Sequence, residues 1–206
     1  MIVTFATQKY KQWLELALIA YRKSNPSGVA KVYLVNFDNN PYQNDAITEY
    51  TMMKLDFTNP EVLMRFKLTV VLYELILNQK NLFWIDADII IMKDLTSLLD
   101  KLNHCDLLCL NRPQETTPYH RKVAAGAFGV SPKAIPALAK WSKLSWAHDT
   151  NWWADQVCLH EMSKEVDSIS LTSEEFSLKG NPNATMFTMG FKDYQLCKDL
   201  ITGGVK

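Results

Sequence analysis

The chain has 206 residues, 48% hydrophobic and 21% charged, a make-up that fits an ordinary globular protein of one domain to one and a half and excludes disorder and a fibrous repeat. Its 22 Lys+Arg balance 22 Asp+Glu, so no overall positive field is available for a nucleic-acid backbone or an anionic membrane, and a polyanionic ligand would have to be gripped locally. The four cysteines, Cys105, Cys109, Cys158 and Cys197, have neither the CxxC pairing of a zinc site nor the density of a disulfide scaffold, and buried thiols are expected.

Ile2 to Ala6 is an apolar run too short for a signal-peptide core and reads as a first strand. Tyr10, Trp13, Leu14, Ala17, Leu18 and Tyr21 then recur at helical spacing up to the Ser24-Asn25-Pro26 stop. Val29 to Val35 reads as a second strand, followed by an Asn/Asp/Pro loop over 36–41. Asn59 and Pro60 supply a cap and first turn for a long helix in which Leu63, Phe66, Val70, Tyr73 and Leu77 make one face with further apolar residues around it, so that the helix is expected to be largely buried. Leu82 to Ile85 is an all-apolar strand of the kind covered on both faces.

Beyond Met92 the elements shorten. A helix over 94–102, strands over 106–110 and 124–130, and a helix over 132–144 with Pro136 in its first turn are expected. Residues 172–183 read as a polar loop. No apolar run reaches the length of a membrane span, and the sequence reads as a soluble, cytoplasmic chain without signal peptide or anchor. One α/β domain fits this order of elements.

The sharpest local feature is Phe83-Trp84-Ile85-Asp86-Ala87-Asp88-Ile89-Ile90-Ile91. If the run is extended throughout, Asp86 and Asp88 point to one side, about 6–7 Å apart along the strand, and can converge on one cation. Without such compensation two carboxylates in apolar surroundings repel and resist desolvation. Hard oxygen donors favour Mg²⁺ or Mn²⁺. The alternative is a strand end whose aspartates cap the next turn or face water. A strand-borne Asp-x-Asp serves two enzyme classes. Haloacid-dehalogenase-like phosphatases carry it on their first strand, whereas here about eighty residues of β-α-β pattern precede it.

The other class is the GT-A glycosyltransferases, which the chain resembles, family-8-like members in particular, over about residues 1 to 195. Val3-Thr4-Phe5-Ala6-Thr7 resembles the opening strand that cradles the nucleotide, and Arg65-Phe66-Lys67-Leu68 the helix that presents a basic residue to the donor. Leu82 to Met92 matches the Asp-x-Asp strand. Ala124-Ala125-Gly126-Ala127-Phe128 is similar to the Asn-Ala-Gly strand lining the donor sugar, with Ala124 at the Asn position. Trp153-Ala154-Asp155-Gln156-Val157-Cys158-Leu159 resembles the Asp-Gln-x-x-Leu helix start. The family's closing His-x-x-Gly-x-x-Lys is represented by Phe187-Thr188-Met189-Gly190-Phe191-Lys192, without the His. A chain of this kind is also similar to glycosyltransferase domains encoded by large algal viruses.

The resemblance implies a GT-A fold with a mixed central sheet flanked by helices, in one domain over 1–206. Residues 1–92 would form the nucleotide-binding half and 93–206 the sugar and acceptor half. It implies that Thr4, Phe5, Ala6, Thr7, Lys67, Asp86, Ala87, Asp88, Gly126 and Lys192 contact the nucleotide-sugar. Asp86 and Asp88 would bind Mn²⁺ or Mg²⁺, with water or phosphate oxygens completing the shell. Asp155 and Gln156 would act at the anomeric carbon. The implied reaction moves a hexose or deoxyhexose from a UDP-sugar to a carbohydrate or glycoprotein glycan, with retention.

Plainer readings stand beside these. Asp155 could be a helix N-cap, Lys67 an exposed lysine on a helix flank, Trp152 and Trp153 core aromatics rather than a sugar platform, and His120, Arg121 and Lys122 a solvated loop. His104, His148 and His160 have no metal-ligand spacing. A phosphatase or nucleotidyltransferase using the same aspartates, or a non-catalytic nucleotide-sugar or glycan-binding domain, remains the competing function.

Overall fold

The structure, a computed structural model, describes residues 1–42, 48–55, 60–112, 117–147, 153–189 and 194–203. In chain order its elements are β1 (Ile2–Thr7), α1 (Lys11–Ser24), β2 (Ala30–Val35), β3 (Thr48–Met53), α2 (Pro60–Asn78), β4 (Leu82–Ile85), β5 (Ile89–Ile91) and α3 (Thr96–Lys101). There follow β6 (Leu107–Asn111), β7 (Val123–Val130), α4 (Ile135–Ala147), α5 (Ala154–Glu165), β8 (Ser168–Ser170), β9 (Phe176–Ser177), β10 (Met186–Thr188) and α6 (Tyr194–Thr202). Seven strands form one sheet in the order β3-β2-β1-β4-β7-β6-β8, and three form another in the order β5-β10-β9. The larger sheet is mixed: β1–β2, β2–β3 and β6–β8 run parallel, β6–β7 antiparallel. This is an α/β fold with flanking helices, as the sequence led us to expect.

The chain forms two compact units, residues 1–55, 85–97 and 172–206 in the first and 56–84 with 98–171 in the second. In the first, β1 and β2 are apolar runs, and α1 buries Leu14, Leu16, Ala17, Leu18, Ala20 and Tyr21. One core cluster joins Leu16, Ala17 and Ala20 of α1 to Ile90, Phe187, Met189, Cys197 and Ile201. The strands the sequence analysis did not anticipate have weak patterns. β3 is mostly exposed, β9 has two residues, and β10 takes its place by antiparallel pairing to β5.

In the second unit, α2 buries Leu63, Lys67, Leu68, Val70, Val71, Glu74 and Leu75. This corrects the expectation of a largely buried helix, because Tyr73, Ile76 and Leu77 are 54%, 51% and 57% exposed. Two charged residues occupy the buried stripe, so a search for apolar periodicity finds a face rotated away from it. Gly129 in β7 is required by close packing: a Cβ there would lie 2.7 Å from Phe83 Cε2. All four cysteines are buried free thiols, as expected. No described helix is long and apolar enough to cross a membrane.

Candidate functional site

In the first unit the Asp-x-Asp run is not one strand. β4 ends at Ile85, β5 begins at Ile89, and Asp86-Ala87-Asp88 forms a turn closed by the Ile89 N–H donating to the Asp86 carbonyl at 3.0 Å. The expected alternation along an extended strand therefore does not apply. Both carboxylates are half-exposed because the turn lifts them out of the apolar run. The Met189 N–H donates to the Asp88 carbonyl at 2.8 Å and fixes the turn from its other side.

Tyr10 belongs to this group and was missed as a site residue, because its spacing fits the apolar face of α1. It stands instead in a single helical turn between β1 and α1, 40% exposed. Burial, and then the charges of Asp88 and Asp86, push its phenol above the ordinary tyrosine value. Of the β1 residues expected at the nucleotide, Thr4, Phe5 and Ala6 are buried and Thr7 is half-exposed. Among the described residues the Thr4 hydroxyl has no hydrogen-bond partner, and Thr4 lines a small cavity together with Asp86, Leu14 and Ile89.

Two half-exposed carboxylates on one turn are hard oxygen donors suited to Mn²⁺ or Mg²⁺. Among the described residues no set of three His, Cys, Asp or Glu converges on a cation. Phe187, where the resemblance would have a histidine, is 1% exposed in the core. A small divalent ion that keeps water and substrate phosphate in its shell fits such a two-carboxylate donor set.

In the second unit Lys67, on α2, donates from Nζ to Asp155 Oδ2 at 2.7 Å and to the Ala125 carbonyl at 3.0 Å. The same ammonium lies 5.7 Å from the centroid of the Trp84 ring. The two side chains are 1% and 3% exposed, so Lys67 is not the exposed flank lysine of the plainer reading. The other oxygen of Asp155, Oδ1, accepts from the Gln156 N–H at 2.8 Å. Trp153 holds the N-cap position of α5 without a side-chain cap bond. Asp155 thus lies inside the first turn rather than capping it, where its negative charge suits the helix dipole.

Gln156 is half-exposed, and its Oε1 accepts from Arg112 Nη2 at 3.2 Å. The Arg121 guanidinium lies 4.8 Å from the centroid of the Trp153 ring, so one face of that indole is taken by a cation. In β7 every residue is buried except the half-exposed Gly126.

Three solved glycosyltransferase structures are similar to the chain. The apo form of GlyE from Streptococcus pneumoniae TIGR4 superposes over 97% of this chain with a TM-score of 0.67 and 16% identity. The chain spans 59% of the length of that protein. The galactosyltransferase LgtC, in complex with donor and acceptor sugar analogs, matches over 98% of this chain and 95% of its own, with TM-score 0.64 and 13% identity. A glycosyltransferase involved in glycosylation of the major capsid of PBCV-1 matches over 98% of both chains, with TM-score 0.63 and 9% identity. The chain has the GT-A fold. No sequence-family profile and no curated protein sequence matches it.

Within this GT-A fold, Asp86, Ala87 and Asp88 share one turn in the first unit. Lys67, Asp155, Gln156 and Arg112 form one connected group in the second. Lys192, Trp152 and His148 lie outside the described residues, as do Asn59 and the side chain of His120. His104 is exposed, and His160 packs edge-on to Tyr119 with ring centroids 5.3 Å apart. Arg112 and Tyr10 are the two residues that sequence reasoning did not single out. An arginine just past a strand carries no sequence signal of its own.

Proposed function

We propose that the protein is a metal-dependent glycosyltransferase that moves a hexose or deoxyhexose from a UDP-sugar to a glycan acceptor with retention. The carrying observation is the turn between β4 and β5, which holds two half-exposed carboxylates beside an exposed tyrosine in a GT-A fold. Asp86 and Asp88 would hold Mn²⁺ or Mg²⁺. When bound, that ion neutralises the charge developing on the leaving nucleoside diphosphate. Tyr10 offers a flat aromatic surface for the base, and Thr7 is the accessible residue at the end of β1. Lys192 would contact the diphosphate.

In the second unit, the half-exposed Gly126 of β7 would face the sugar, and Asp155 and Gln156 would serve the anomeric carbon. Lys67 holds Asp155 in place through the ion pair, and a carboxylate near the anomeric carbon favours an oxocarbenium-like transition state. In a retaining transfer the bond from the anomeric carbon to the phosphate oxygen breaks as the acceptor oxygen bonds to the same face. The departing phosphate oxygen takes the acceptor's proton.

The test is release of UDP from UDP-glucose, UDP-galactose and related donors with Mn²⁺ and a glycan panel, with the anomeric configuration of the product read by NMR. Metal-dependent release and a retained anomer support the proposal. Phosphate release from a sugar phosphate, or binding without turnover across the panel, contradicts it.

A further inference from the structure

The contact between Arg112 and Gln156 is chemically one-sided. A guanidinium carries only N–H donors, so the atom of the Gln156 carboxamide that faces Arg112 Nη2 at 3.2 Å is its carbonyl oxygen. The NH₂ of the same carboxamide is therefore turned away from Arg112. Among the described residues the Gln156 side chain has no other hydrogen-bond partner, and it is half-exposed.

Arg112 is itself well fixed. The nitrogen that reaches Gln156 also donates to the Val123 carbonyl at 3.2 Å, and the Arg112 backbone N–H donates to the Lys122 carbonyl at 2.7 Å. The arginine thus joins the start of β7 to the first turn of α5. Asp155, bonded to both Lys67 and the Gln156 N–H, fixes the backbone of that turn from its other side. Backbone and side chain of Gln156 are each held by a charged neighbour.

We propose that Arg112 is a positioning residue: by taking the Gln156 carbonyl oxygen, it presents the Gln156 NH₂ as a hydrogen-bond donor to an oxygen of the nucleotide-sugar. This rests on the glycosyltransferase reading and deepens it. While Arg112 holds that oxygen, Gln156 serves the sugar through its N–H groups and not as an oxygen nucleophile. Without Arg112 the terminal torsion of the amide is free to turn and can present the oxygen to the substrate in place of the NH₂.

The experiment is a double-mutant cycle on turnover, using whichever of UDP-glucose, UDP-galactose, GDP-mannose or dTDP-rhamnose the wild type consumes with Mn²⁺. Arg112→Met is expected to lower kcat by about 10- to 100-fold with KM little changed. Because one nitrogen makes both side-chain contacts, Arg112→Lys is expected to regain most of that rate. In a Gln156→Leu background, Arg112→Met should cost less than about twofold more. Thermal unfolding of each variant checks that the fold persists. An Arg112→Met loss of equal size in both backgrounds overturns the inference and leaves the glycosyltransferase reading standing. No donor turnover by the wild type overturns both.

Discussion

Lys67 Nζ lies 2.7 Å from Asp155 Oδ2, with side chains 1% and 3% exposed, and this ion pair ties the middle of α2 to the first turn of α5. Each charge is kept in the interior only by the other and by a few further contacts, among them the Ala125 carbonyl and the Gln156 N–H. Breaking the pair from one side strands the remaining charge. Lys67→Met is expected to lower stability by about 3–5 kcal/mol in urea unfolding. The double variant Lys67→Met/Asp155→Leu is expected to recover most of that loss. A single-variant loss under about 1 kcal/mol would show that water reaches the pair.

The phenol of Tyr10 reports on Asp86 and Asp88. Its pKa is raised from 10.0 by burial first and then by Asp88 and Asp86. A raised value means that the folded protein holds this proton more tightly than the unfolded chain does. The stabilisation is therefore complete below pH 10 and fades as pH rises through the folded value. Tyrosinate absorbance in wild type minus Tyr10→Phe should show a group titrating above 10, and saturating Mn²⁺ should move it down. A titration that ignores Mn²⁺ would place the cation elsewhere.

Gly126 is the half-exposed position of an otherwise buried strand, and under the proposed function a side chain there would intrude on the sugar. Gly126→Val is expected to raise KM for the nucleotide-sugar about tenfold or more while the melting temperature changes little. Unchanged kinetics would remove Gly126 from the site.

The α/β class, the strands over 2–7, 30–35 and 82–85 and the helices over 11–24, 60–78 and 135–147 were legible because their apolar runs or periodicity are strong. The Asp86-Ala87-Asp88 turn was legible only as the alternative to one continuous strand. Ile89 to Ile91 continues the apolar run, and only the pairing of β5 with β10, away from the larger sheet, shows where the chain breaks. Lys67 defeated the pattern for a related reason: a lysine reads as exposed until its partner, 88 positions along the chain, is known. The link from Arg112 to Gln156 likewise spans 44 positions. Tyr10 looked like one more member of the apolar series of α1.

Calorimetric titration of UDP, with and without Mn²⁺, into the wild type and into Asp88→Ala reads whether the Asp86-Ala87-Asp88 turn carries a metal-dependent nucleotide site. GDP, CMP and dTDP serve as comparisons. Binding of UDP is expected to require Mn²⁺ and to be lost in Asp88→Ala, whose melting temperature stays near that of the wild type because the carboxylate is half-exposed. Absence of binding by every nucleotide, or metal-dependent UDP binding that survives in Asp88→Ala, would contradict such a site at the turn.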